Sequence, residues 1–114
     1  IDDIAEAVVR LTDVIPPPNP DWTVEAGTPA DSSAPYRVYN IGNSQPVPLI
    51  DFIRTLEGAL GVPAQMNLLP LQPGDVLETS ADTSALEAAI GFKPRTELKV
   101  GLERFVGWYR GFYV

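Results

Sequence analysis

Five residues, Pro16-Pro17-Pro18-Asn19-Pro20, limit what this chain can fold into more than any others. Proline lacks an amide hydrogen and has a fixed φ, so no helix can run through the cluster and the backbone there is stiffened into an extended, polyproline-like path. Ahead of it, Ile1, Ile4, Val8, Leu11 and Ile15 recur at helical spacing, and Asp3 stands three residues before Glu6 as in a capping box. The spacing predicts a helix over residues 3–13, stopped by the prolines. Behind the cluster, residues 16–36 form a connection rich in Pro, Ser, Thr, Asp and Ala. Connections this long are uncommon inside a compact domain, and the reading favoured here is a surface excursion pinned by Trp22.

Regular structure resumes at residue 37. Arg37 to Gly42 reads as a strand, with Val38 and Tyr39 suited to a pleated surface. Leu49, Phe52, Ile53, Leu56 and Leu60 then mark a helix, with Pro48 tolerated at its start and Gly61 as a left-handed stop. Ala64 to Leu69 reads as a second strand, followed by a loop from Pro70 through Glu78. Asp82 can cap a short helix ending at Gly91, and Thr96 can cap a last one whose face carries Leu98, Leu102, Phe105, Val106 and Tyr109. A strand, a helix and a strand in succession imply a crossover, because parallel strands need a connection of that length. The expected fold class is therefore α/β: a small parallel two-stranded sheet packed with about four helices, in one domain over residues 1–114.

Composition removes several function classes. The net charge is −7, with only eight basic residues, which argues against nucleic acid and anionic membrane surfaces, both of which need clustered Lys and Arg. There is no Cys and no His, so disulfides, zinc fingers, thiol nucleophiles and imidazole bases are excluded. No apolar run reaches membrane-spanning length. The opening Ile1-Asp2-Asp3-Ile4 resembles neither a signal peptide nor an initiator, and the expectation is a piece of something longer.

Few residues carry chemistry. In Gln72-Pro73-Gly74-Asp75 the Pro-Gly turn lets an amide and a carboxylate project from one loop, and a carboxylate accepts well from vicinal hydroxyls such as those of a ribose. The plain alternative is a turn in which Asp75 bonds nearby backbone N–H groups. Asp2 and Asp3 are neighbours on a helix and do not face one another, so they read as capping residues and not as an acid/base pair. Gly107 and Gly111 have the spacing of a helix-packing motif but lie among Trp108, Tyr109 and Arg110, outside any apolar span. Trp108, Tyr109, Phe112 and Tyr113 read as packing against a core or a partner. Gly58-Ala59-Leu60-Gly61 lacks the third glycine of a dinucleotide fingerprint, and no Tyr-x-x-x-Lys occurs.

Six ordered blocks carry a family resemblance: Asp2-Asp3-Ile4-Ala5, Tyr39-Asn40-Ile41-Gly42, Pro73-Gly74-Asp75 with Ala81-Asp82, Gly91-Phe92-Lys93-Pro94, Gly101-Leu102 and Trp108-Tyr109. They resemble the substrate-side C-terminal region of nucleotide-sugar epimerases and dehydratases in the extended short-chain dehydrogenase/reductase family. Within the long connection, Asn19-Pro20-Asp21-Trp22 and Ser32-Ser33-Ala34-Pro35-Tyr36-Arg37 look like the bacterial UDP-glucuronate 4-epimerases.

The resemblance implies a C-terminal nucleotide-sugar binding domain over residues 1–114 that lacks the Rossmann half. It implies a cytoplasmic parent enzyme that uses NAD to interconvert UDP-glucuronate and UDP-galacturonate through a 4-keto sugar, in the service of capsular or cell-envelope polysaccharide. Relatives carry Arg-x-Gly-Asp where this chain has Gln72 to Asp75, with the Arg on the pyrophosphate and the Asp near the nucleotide ribose. Gln72 departs from that pattern and brings no charge. By the same resemblance Gln72 and Asp75 are the substrate-binding residues, and no catalytic, cofactor-binding or metal residue is expected in this stretch. The implied partners are the UDP-sugar and the N-terminal Rossmann half of the same protein. Without that half, the helix opening at Asp2 and the strand at Val38 to Ile41 are left uncovered, so self-association is expected. A related enzyme on another nucleotide sugar, such as UDP-glucose 4-epimerase or dTDP-glucose 4,6-dehydratase, and a free-standing acidic interaction module are the alternatives.

Overall fold

Four helices make up the regular structure of this chain, whose computed structural model describes residues 1–113: α1 (Asp2–Leu11), α2 (Leu49–Leu60), α3 (Ser84–Ile90) and α4 (Leu98–Tyr113). They fall into two compact units. One comprises residues 1–44 and 80–95 and holds α1 and α3; the other comprises 45–79 and 96–114 and holds α2 and α4.

In the first unit, α1 packs on α3, with Ala7 and Leu86 as the fully buried side chains of the two helices. Asp2 and Asp3 lie in the first turn of α1, where they complement the helix dipole, and the cap position itself falls to Ile1. The helix ends at Leu11, five residues ahead of the first proline, where the Thr12 hydroxyl donates to the Val9 carbonyl at 2.6 Å. Arg10 holds Glu6 at 2.7 Å and lays its guanidinium over the Phe92 ring, 4.9 Å from the centroid. At the start of α3, the Asp82 carboxylate accepts the Ser84 N–H at 2.9 Å and so takes up one of the amides a helix start leaves without partners.

The connection over 16–36 folds back on itself. Asp31 is its hub: one carboxylate oxygen accepts from the Asn19 amide at 3.0 Å, the other accepts from the Thr28 hydroxyl at 2.9 Å, and Arg37 lies 3.7 Å away. Backbone bonds from Asn19 N–H to the Ser32 carbonyl and from Val38 N–H to the Ala30 carbonyl close the loop, both at 2.8 Å. The Trp22 indole N–H donates to the Thr28 carbonyl at 3.2 Å and presses on Gly27 so closely that a Cβ there would sit 2.1 Å from Nε1. Only glycine fits that contact.

In the second unit, α2 and α4 pack together through Leu102 and Val106, which are buried, while α2 contributes the half-buried Ile53, Leu56 and Leu60. Gly61 stops α2 in the left-handed region, its N–H bonded to the Glu57 carbonyl at 2.7 Å. The Arg110 guanidinium of α4 donates to the Leu60 carbonyl and neutralises the C-terminal end of α2.

The structure corrects the expected α/β class. Among the described residues there is no strand and no sheet; the backbone pairing is a single isolated antiparallel bridge between Asp31 and Arg37. The two segments with strand-like composition belong to different units, 37–42 to the first and 64–69 to the second. A strand exists only when another backbone takes up its N–H and C=O groups, and β propensity alone does not supply that partner. Residues 64–69 are irregular and exposed, with Leu68 and Leu69 open to solvent.

Hydrogen bonds from Ser84, through its hydroxyl and its backbone N–H, hold the Asp82 carboxyl below its ordinary value of 3.8. A depressed folded-state pKa stabilises the fold at pH above the unfolded value, and that contribution is lost as pH falls through the folded value. Asp82→Asn is therefore expected to leave neutral stability nearly unchanged, because Asn also caps, and to flatten the loss of helicity that accompanies acidification below about pH 4. Circular dichroism at 222 nm through paired acid titrations checks this; parallel acid limbs would contradict it.

Candidate functional site

The segment between α2 and α3 in sequence contains the two residues expected to meet substrate. Pro73 and Gly74 occupy the centre of a tight turn in which the Asp75 N–H donates to the Gln72 carbonyl at 3.1 Å. Gly74 has φ of +94°, which glycine adopts without the Cβ clash other residues suffer, and this sequence and geometry are those of a type II turn. The turn brings Gln72 and Asp75 together: the Gln72 N–H donates to Asp75 Oδ2 at 3.3 Å, bridging the turn a second time. The Gln72 side-chain amide reaches back to the Pro70 carbonyl at 2.8 Å. Both side chains are exposed.

This is the backbone-satisfying arrangement weighed from the sequence. It uses one acceptor position on a carboxylate that offers about four, so the same group can also receive a hydroxyl.

Directly after the turn, Val76 to Thr79 form one wall of an open groove of about 830 Å³. The opposite wall is the approach to α2, from Gln45 through Val47 and Pro48 to Leu49 and Phe52, and Leu98 of α4 completes it. Most of the lining residues are apolar, and Gln45, Glu78 and Thr79 are the polar ones. An apolar trough with few hydrogen-bonding groups suits a flat ring held by its edges. Sequence reading missed this groove, because segments about thirty residues apart form it and no local spacing announces that meeting.

The first unit has a smaller hollow of about 290 Å³ beside Pro16, Pro17, Arg37, Tyr39 and α3. Among the described residues no cluster of three or more acidic groups could hold a metal ion, and no helix is long and apolar enough to cross a membrane.

No family model matches the chain. Individual relatives do. It is 45% identical over 113 residues to a protein named CapI from Staphylococcus aureus and 46% identical over 112 residues to a probable UDP-glucuronate 4-epimerase from Rhizobium meliloti. These alignments cover 99% and 96% of the chain. The chain is homologous to UDP-glucuronate 4-epimerases, over their C-terminal part. Its identity to UDP-glucuronate 4-epimerase 2 of Arabidopsis thaliana is 37% over 114 residues. It spans about a third of the bacterial relatives, 34% of CapI and 32% of the Rhizobium epimerase, and 25% of the Arabidopsis enzyme. An Escherichia coli protein of 37.6 kDa without an assigned activity is 67% identical, again along 99% of the chain and 34% of its own length.

The turn's dependence on glycine is testable. Gly74→Ala places a Cβ where the backbone is left-handed and is expected to cost about 1 kcal/mol in urea denaturation, although nothing crowds the position. An unchanged midpoint would mean that the turn does not hold this conformation in solution.

Proposed function

We propose that this chain is the nucleotide-sugar binding portion of a UDP-glucuronate 4-epimerase. The observation that carries the reading is the alignment of almost the entire chain with epimerases of that name at 37–46% identity. The turn at Gln72 to Asp75 and the adjoining groove support it, since together they offer a carboxylate next to an apolar trough. In the proposed mode, the Asp75 carboxylate accepts from a ribose hydroxyl of the nucleotide while the uracil ring lies along Val76, Leu77 and Phe52. Gln72 can donate one hydrogen bond toward the diphosphate after leaving the Pro70 carbonyl, but it cannot neutralise charge. Charge neutralisation then falls to other parts of the longer enzyme.

The proposed reaction is the exchange of configuration at the sugar C4, and NAD supplies the hydride chemistry when bound. The residues present do not fit that cofactor. No Gly-rich strand-to-helix turn is available to approach a pyrophosphate, and no Tyr-x-x-x-Lys is available to move the C4 hydroxyl proton. This chain's contribution is to bind and orient the substrate.

In the longer epimerase carrying this segment, Asp75→Ala is expected to raise the KM for UDP-glucuronate about tenfold with kcat little changed, the effect of losing roughly 1.4 kcal/mol of uniform binding. Steady-state kinetics against UDP-glucuronate and UDP-glucose check both the residue and the sugar. An unaltered KM would confine Asp75 to its turn, and a preference for UDP-glucose would reassign the substrate.

A further inference from the structure

The hollow of about 290 Å³ in the first unit lies against a face of α3 that is built from methyl groups. Ala85, Ala88 and Ala89 stand at i, i+3 and i+4, on one side of the helix, and side chains that short leave space above the backbone. Pro16, Pro17, Arg37 and Tyr39 supply the rest of the lining. The segment that carries Arg37 and Tyr39 is held in place: the Val38 N–H donates to the Ala30 carbonyl at 2.8 Å, and the Asn40 amide donates to the Asp82 carbonyl at 3.3 Å. The hollow is therefore formed before any ligand arrives.

Arg37 and Tyr39 are its polar groups. Tyr39 brings a hydroxyl that both donates and accepts, and Arg37 brings a planar fork of N–H donors. Asp31 lies 3.7 Å from the guanidinium, close enough to offset its charge and too far to take a hydrogen bond, so the donors face the hollow's mouth unspent. On α3 the charged Glu87 stands on the side opposite the alanines, 3.9 Å from Lys93.

This chemistry selects among ligands. A hollow so small suits a single ring and not a nucleotide. A carboxylate or phosphate would add negative charge beside a guanidinium that Asp31 already balances, so an anion gains little here. A purely apolar ring would cover the Arg37 donors and the Tyr39 hydroxyl and leave them without partners, which costs free energy. A pyranose satisfies both requirements. Its hydroxyls accept from Arg37 and exchange hydrogen bonds with Tyr39, while its C–H face lies on the alanine methyls, the prolines and the Tyr39 ring.

We infer that this hollow binds one neutral pyranose unit of a saccharide, held by Arg37 and Tyr39 over Ala85, Ala88 and Ala89. The site is independent of the epimerase reading, since it belongs to the first unit and uses no residue of the groove or of the turn.

Titration of the chain with D-glucose and with D-galactose, followed by methyl NMR, tests it. The expected result is a saturable shift of the Ala85, Ala88 and Ala89 methyl signals with a Kd of about 1–10 mM for at least one of the two sugars, the range open to a ligand of about twelve non-hydrogen atoms. The Val76 and Leu77 methyls of the groove should stay unmoved. Arg37→Met and Ala88→Leu are each expected to weaken binding tenfold or more: the first keeps the hollow and removes the donors, and the second keeps the donors and fills the hollow with a good helix former. D-galacturonate should bind no more tightly than D-galactose, and a tenfold gain from its carboxylate overturns the neutral class. Lactose separates the two sources of such a unit: tighter binding than galactose assigns the site to the end of a glycan, and equal or weaker binding assigns it to a free sugar. No saturable shift with either monosaccharide up to about 100 mM overturns the inference, as does binding that both substitutions leave intact. If Arg37→Met loosens the loop by releasing Asp31, Ala88→Leu decides.

Discussion

Each helix in this chain has one packed neighbour, and the seam between them is narrow. Among the described residues the buried apolar core consists of Ala7 and Leu86 in one unit and Leu102 and Val106 in the other. Fully burying a large side chain is worth roughly 2 kcal/mol, so seams this thin leave the ends of the helices to be held by specific polar contacts. Those contacts are present at each seam: Asp82 on the Ser84 amide, Thr12 on the Val9 carbonyl, and Arg110 on the Leu60 carbonyl. The same thinness leaves amphipathic helices with apolar residues to spare. Ile4 and Val8 on α1 and Phe105, Trp108 and Phe112 on α4 are exposed for that reason.

What the sequence made legible was local. Helical spacing placed all four helices, and the Gly61 and Gly91 stops fell where they were expected, both with positive φ. The Pro-Gly turn at 73–74 formed because proline and glycine each suit one central position of it. Asp82 sits at the start of α3 because its short carboxylate reaches an amide two residues on. The sheet failed for the opposite reason. Val38 and Ile41, like Met66 and Leu68, suit a pleat, but their own residues do not decide whether a neighbouring backbone arrives.

The candidate site divides along the same line. Gln72 and Asp75 could be singled out, since they flank a recognisable turn, and the turn brings them within hydrogen-bonding distance. The groove beside them could not, because Val47 and Phe52 meet Val76 and Leu77 only in the folded unit. Homology covers the whole chain but a third of its bacterial relatives. Under the proposed function, a substrate would occupy this exposed loop.

Hydrogen exchange in the longer epimerase, with and without UDP-glucuronate, tests that account most directly. Within residues 70–79 two backbone amides, those of Gln72 and Asp75, are bonded inside their own exposed turn, so exchange there should be fast in the free enzyme. The account predicts that UDP-glucuronate slows exchange across 72–79 and at the entrance to α2. Slowing elsewhere in the enzyme, with 72–79 exchanging as fast as before, would contradict it.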